Sequence, residues 1–177
     1  MTNKNDFYNN DFINIDGNEV HITAIINDNV IMGTGNRIGA YTVIGANGEM
    51  RNVDQNSFEG KIVIGNNNVI SEHVTIQVPY NKDAITKIGN NNIIMAHSHI
   101  GHDGIVGDNT EICTTSIIGG YATVKNGAKI KLGSVIRNRI IVGENAIVGM
   151  CSAVTKDVPD NAVVYGNPAK PAKPKEE

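Results

Sequence analysis

Every sixth residue from Ile88 to Val154 is isoleucine or valine: Ile88, Ile94, Ile100, Val106, Ile112, Ile118, Val124, Ile130, Ile136, Val142, Val148 and Val154. Glycine often follows this position, as at Gly89, Gly101, Gly107, Gly119, Gly143 and Gly149. Four residues after it the side chain is usually small, as at Ser98, Thr110, Ala122 and Ser134. The same spacing opens the chain at Val20, Ile26, Met32, Ile38, Ile44 and Met50, and resumes after a shift at Ile64, Ile70 and Ile76. A period of six fits neither an α-helix nor a free two-sided strand. It fits a short strand plus a turn, with the aliphatic residue inward and the small residue in a tight corner. Three such sides close a triangular coil of about 18 residues, and coils stack like parallel strands about 4.8 Å apart. The pattern predicts an all-β fold, a left-handed parallel β-helix of hexapeptide repeats forming a three-sided prism. Each coil buries its aliphatic row against its neighbours, as in other solenoids.

Two segments break the phase. Residues 46–62 (ANGEMRNVDQNSFEGKI) shift it, and residues 77–87 (QVPYNKDAITK) replace one hexad. Both read as loops extruded from the prism, where binding residues commonly reside. The predicted organisation is a polar N-terminal segment over 1–19, a β-helix over 20–159, and a capping strand with a Pro- and Lys-rich tail over 160–177. No second domain is expected.

Composition narrows the function. The 177 residues include no Trp and only 3 Phe, so the core is aliphatic. A net charge of −3 offers no electrostatic footprint for nucleic acid and no polybasic patch for a membrane surface. The polar, acidic start does not read as a signal peptide, and no apolar run suits membrane insertion. Cys113 and Cys151 lie far apart and read as free thiols in a reducing cytoplasm.

Histidines cluster at His97, His99 and His102, with Asp103 adjacent and His73 upstream. A neutral imidazole suits the removal of a proton from a hydroxyl or amine as it attacks a thioester. The resulting oxyanion needs a fixed donor. One coil on from His102 is Gly120, which can offer a backbone N–H with no side chain in the way.

At these residues the chain resembles a known family. The stretch IGNNNIIMAHSHIGHDGIVGDN, residues 88–109, is similar to the catalytic coils of the bacterial UDP-N-acetylglucosamine O-acyltransferases of lipid A synthesis. The segment NNNVISEHVTI and the loops around it fall where that family has its own, and the resemblance covers roughly residues 20–165. It implies that His102 is the general base, that Asp103 orients it, that His99 contacts the acceptor and that Gly120 supplies the oxyanion N–H. The C-terminal run SAVTKDVPDNAVVYGNPAK is more like the sugar acetyltransferases of the same superfamily. Gln77, Tyr121 and Arg137 stand where the lipid A enzymes carry further histidines. The helical domain with which that family holds the acyl carrier protein is not expected within 1–177. Enzymes of this resemblance are homotrimers with active sites between subunits, which implies a cyclic homotrimer here.

The implied reaction is acyl transfer, most simply acetyl transfer, from a thioester to a hydroxyl or amine of a nucleotide-linked sugar, as in cell-surface polysaccharide or lipopolysaccharide synthesis. No cofactor is expected to be permanently bound. Acetyl-CoA or another short acyl thioester is the expected co-substrate, with acyl carrier protein as the alternative donor. Acceptor contacts are expected at His99, His73 and Gln77, at Arg51 and Lys82 on a diphosphate, and at Tyr80 stacked on a base. Glu49 and Asp54 share the first loop. On the donor side, the family's hydrocarbon ruler corresponds to Met150 in Val148-Gly149-Met150-Cys151-Ser152, and its thioether favours short chains. Tyr121, Arg137, Arg139, Lys156, Asn167 and Lys170 complete the candidate donor site. Two rival readings stay open. The His97–His102 spacing, with His73, resembles the zinc ligands of β-helical carbonic anhydrases, although the phase of the two histidines differs from that family. A non-catalytic scaffold is the other.

Overall fold

A computed structural model describes residues 11–49, 51, 53, 54 and 57–172. Met50 of the opening series and the outer parts of both terminal segments lie outside the described residues. The six-residue phase resolves into short strands joined by tight corners, stacked as three sheets of ten, seven and six strands, parallel except for the outermost strand at each end of the first. This is the left-handed parallel β-helix expected from the repeat. One circuit runs through Ile93–Ile94 in the first sheet, His99–Ile100 in the second and Ile105–Val106 in the third, then returns to the first at Glu111–Ile112. The ladder register advances by 18 residues per coil, pairing His99 with Ile117 and Ile100 with Ile118.

Packing follows the sequence pattern. All twelve positions of the Ile88–Val154 series are buried, and Ile88, Ile94, Ile100, Ile112, Ile118, Ile130 and Ile136 are fully inaccessible. The residue just before each points outward, so Ile93, Ile105 and Ile117 remain about half exposed. Small residues four places on, such as Ser98, Ala122 and Ser134, are buried in the corners. At the edge between the third and first sheets an asparagine ladder satisfies the corner amides. The Asn36, Asn68 and Asn92 N–H groups donate to the Asn18, Asn36 and Asn68 side-chain carbonyls, each at 2.9 Å.

The ends are capped by hairpins. Within the N-terminal segment, Phe12–Ile15 pairs antiparallel with Asn18–His21, and the Arg37 guanidinium lies 3.8 Å over the Phe12 ring. At the other end Val163–Tyr165 continues the first sheet and Lys170–Pro171 folds back on it.

The first excursion leaves after Val43–Ala46 and returns at Lys61–Ile64. The second spans 78–84 and is shorter than the 77–87 expected. Gln77 ends the strand Thr75–Gln77, and Ile85–Ile88 pairs residue for residue with Lys61–Ile64. Both excursions leave from the second sheet and return to the third. They therefore emerge from one edge of the prism, in consecutive coils. Among the described residues no helix is long and apolar enough to cross a membrane.

Candidate active site

The edge that releases the two excursions carries His102 and Asp103 in the next coil. His102 follows the second-sheet strand His99–Ile100 and precedes the third-sheet strand Ile105–Val106. Asp103 takes the left-handed corner conformation, with φ 58°. That turn brings its carboxylate back to the neighbouring ring, and His102 Nδ1 lies 2.9 Å from Asp103 Oδ2. A carboxylate only accepts, so Nδ1–H donates, and in the neutral ring Nε2 carries the lone pair. Both side chains are about one-tenth exposed.

Gly120 lies against that nitrogen from the coil above. A Cβ on Gly120 would stand 2.6 Å from His102 Nε2 and 2.8 Å from Cε1, so glycine is required for the imidazole to sit there. The Tyr121 N–H donates to the His102 carbonyl at 2.9 Å, whereas the Gly120 N–H has no hydrogen-bond partner among the described residues. The residue with the unused backbone donor thus abuts His102 Nε2. The pairing expected from the 18-residue step is observed.

The walls come from three directions. The Tyr121 ring stands edge-on to His102 at 5.0 Å, and the Arg139 guanidinium lies 4.2 Å over that ring. From the first excursion, Gly48 comes so close that a Cβ there would meet His102 Cβ and Cδ2 at 3.2 Å and Phe58 at 2.8 Å. Phe58 in turn packs edge-on against Tyr80 of the second excursion, with centroids 5.6 Å apart. His99 points outward from the second sheet next to this cluster. Burial holds its imidazole below the ordinary histidine value; the Glu49 carboxylate opposes this and His102 adds to it.

The other expected residues divide by edge. Arg137, Arg139 and Lys156 are exposed along the same edge, the two arginines two coils above His102 and the lysine three. Arg51 and Lys82 are exposed on the two excursions. Tyr80 is half-buried and packs edge-on with Phe58. Gln77 is buried, and its Oε1 accepts the His102 N–H at 3.3 Å; it supports His102 from the coil below instead of facing an acceptor. His73 lies on the opposite edge of the second sheet. Its ring stacks between Tyr41 at 5.1 Å and His97 at 4.7 Å. His73 and His97 are therefore not gathered with His102 around a point within the chain. Met150 shares that opposite edge and is 67% exposed. Asn167 and Lys170 belong to the C-terminal cap on the first sheet. Cys113 offers no nucleophile: burial, then its bond to Glu111, pushes the thiol up to about 11.

The sequence reading missed Gly48, Phe58 and Thr86. The first two lie in an excursion without periodicity. Thr86 fell inside the expected loop, although it is buried in a strand.

No family model matches the chain. It is 32% identical over 139 residues to the acyl-[acyl-carrier-protein]–UDP-N-acetylglucosamine O-acyltransferase of Gloeothece citriformis, covering 78% of this chain and 50% of that protein. The corresponding protein of Pseudomonas paraeruginosa is 38% identical over 111 residues, covering 62% of this chain and 43% of that protein. The chain spans about half the length of these curated relatives. The crystal structure of the UDP-N-acetylglucosamine acyltransferase from Bacteroides fragilis superposes with a TM-score of 0.82 at 26% identity, covering 88% of this chain and 60% of that one. The chain is thus a hexapeptide-repeat protein similar to these acyltransferases in both sequence and fold.

Proposed function

We propose that the protein transfers an acyl group from a thioester to a hydroxyl or amine of a nucleotide-linked sugar, with His102 as general base. The observation that carries this reading is the contact of His102 Nε2 with Gly120, whose N–H is unused among the described residues, at the edge where both excursions emerge. Nε2 takes the acceptor's proton as its oxygen or nitrogen attacks the thioester carbonyl. The carbonyl oxygen becomes an oxyanion and accepts from the Gly120 N–H. Collapse breaks the carbon–sulfur bond, and the proton passes from the imidazolium to the departing sulfur. Asp103 holds the ring in the tautomer that this requires. His99 contacts the acceptor sugar, and Arg51 and Lys82 reach its diphosphate. Arg137, Arg139 and Lys156 offer cations for the phosphates of the donor. The similarity to the relatives supports this class of substrates, and the reaction belongs in the cytoplasm. Acyl thioesters of coenzyme A and of acyl carrier protein should be offered against UDP- and dTDP-sugars, with products read by mass spectrometry. An acylated nucleotide sugar is the expected product; none from any pair would refute the reading.

Met150 and His102 lie on opposite edges of the second sheet, so a groove bounded by both needs a second copy of the chain. We therefore assign the protein as a homotrimer with sites between subunits. Light scattering at micromolar concentration should give the mass of three chains, and a monomer would contradict the shared groove. In that groove Met150 limits chain length and favours acetyl or another short group. Each methylene denied burial forfeits about 0.8 kcal/mol, so a long chain loses more than about tenfold in affinity per carbon pair. Met150→Gly should extend the donor range to longer chains. An unchanged chain-length profile would reduce Met150 to packing.

A further inference from the structure

The corner amides of the prism follow one rule. At a left-handed corner residue, the N–H donates to the carbonyl of the residue before the corner position one coil below. Tyr121 donates to His102 at 2.9 Å, Arg139 to Gly120 at 3.0 Å, Thr115 to Ala96 at 3.0 Å and Cys151 to Leu132 at 2.9 Å. Asp103 breaks the rule. The coil below has no corner at this edge, because the chain leaves after Gln77 and returns only at Ile85.

Two buried side chains replace the missing corner. The Asp103 N–H donates to Thr86 Oγ1 at 2.9 Å, and the Thr86 hydroxyl donates to the Gln77 carbonyl at 2.8 Å. Gln77 Oε1 accepts the His102 N–H at 3.3 Å. Thr86 is fully inaccessible. Its ladder partner in the coil below is Ile62, which pairs in turn with Val30. An inward aliphatic column thus becomes polar at the coil beneath the His102–Asp103 pair. A buried hydroxyl costs stability unless it is bonded, and this one bonds as both donor and acceptor.

We infer that Thr86 is a positioning residue for the candidate base: with Gln77 it supplies the acceptors a corner would have given, and so fixes the turn that holds the Asp103 carboxylate on His102 Nδ1. A non-glycine residue at positive φ needs such support from its surroundings. The same hydroxyl closes the base of the excursion 78–84, which ties the acceptor loop to the base. The kinetic part of this inference rests on the acyl-transfer reading; the structural part does not.

Nitrogen-15 spectra of the histidine rings and acyl-transfer kinetics separate the two. In the parent and in Thr86→Ser, His102 should be one tautomer, protonated at Nδ1. In Thr86→Val, which keeps the shape and removes the hydroxyl, the ring should exchange between tautomers. Turnover should fall by up to about 10²-fold, as for a misplaced catalytic group, with the acceptor KM little changed. Thr86→Ser should restore turnover, and Thr86→Val should add no loss to His102→Ala. Gln77→Ala gives an independent reading by the same spectra, and is the deciding variant should Thr86→Val not fold. A parental His102 tautomer in whichever of these variants folds would overturn the positioning role. Unchanged turnover in His102→Ala would instead refute the acyl-transfer reading and leave the ring spectra to decide on Thr86.

Discussion

His102→Ala should lower turnover by ~10²–10⁴-fold, the usual worth of a general base, while fold and assembly persist. The side chain lies at an edge of the prism and belongs to no aliphatic column, so its removal leaves the Ile100–Ile118 stacking intact. Its amide still accepts support from Gln77, because that bond is to the main chain. What disappears is the ring nitrogen against Gly120. An amine acceptor, which can attack as a neutral nucleophile, would bring the loss to the lower end of the range. His99→Ala should instead raise the acceptor KM more than it lowers turnover. Rates on the acceptor found by the substrate panel, with circular dichroism as the control for folding, check this. Near-parental turnover in His102→Ala would remove the assigned mechanism.

Gly120→Ala should lower turnover by at least ~10²-fold, comparable to loss of an oxyanion donor. The substitution keeps the N–H but places a methyl group 2.6 Å from His102 Nε2 and 2.8 Å from Cε1. Real atoms do not approach so closely, and the ring is hemmed in by Tyr121 and by Gly48. The imidazole must therefore swing away from the position that serves the acceptor. Affinity for the nucleotide sugar should change little, because the charges assigned to its diphosphate lie on the excursions. Calorimetry and single-turnover rates on one preparation separate the two effects. Parental rates would mean that the reacting carbonyl does not lie over Gly120.

The prism was legible because its core admits so few solutions. A buried isoleucine or valine recurs every six residues from Ile88 to Val154, and only a three-sided coil buries each one. The same arithmetic placed Gly120 next to His102, one coil on. It did not assign histidines to edges. His73 and His97 each follow their buried isoleucine by three residues and His102 follows Ile100 by two, yet the larger difference is that Ile70 and Ile94 belong to the first sheet and Ile100 to the second. For His73 the side occupied depends on counting through an excursion, where the phase is lost. The end of the second excursion was hidden for a related reason. Ile85 points outward and Thr86 inward, so the strand presents a polar residue where the pattern demands an aliphatic one. That exception to the packing rule is what supports the site. Met150 lies beyond reach of the same reasoning, since its edge meets His102 only in the proposed assembly.

The most direct measurement is a crystal structure of the protein with an acylated nucleotide sugar formed by its own reaction. The account predicts the acyl carbonyl oxygen within hydrogen-bond reach of the Gly120 N–H. The newly acylated oxygen or nitrogen should lie against His102 Nε2, with the diphosphate toward the two excursions. A product seated on another edge of the prism, out of reach of both groups, would contradict it.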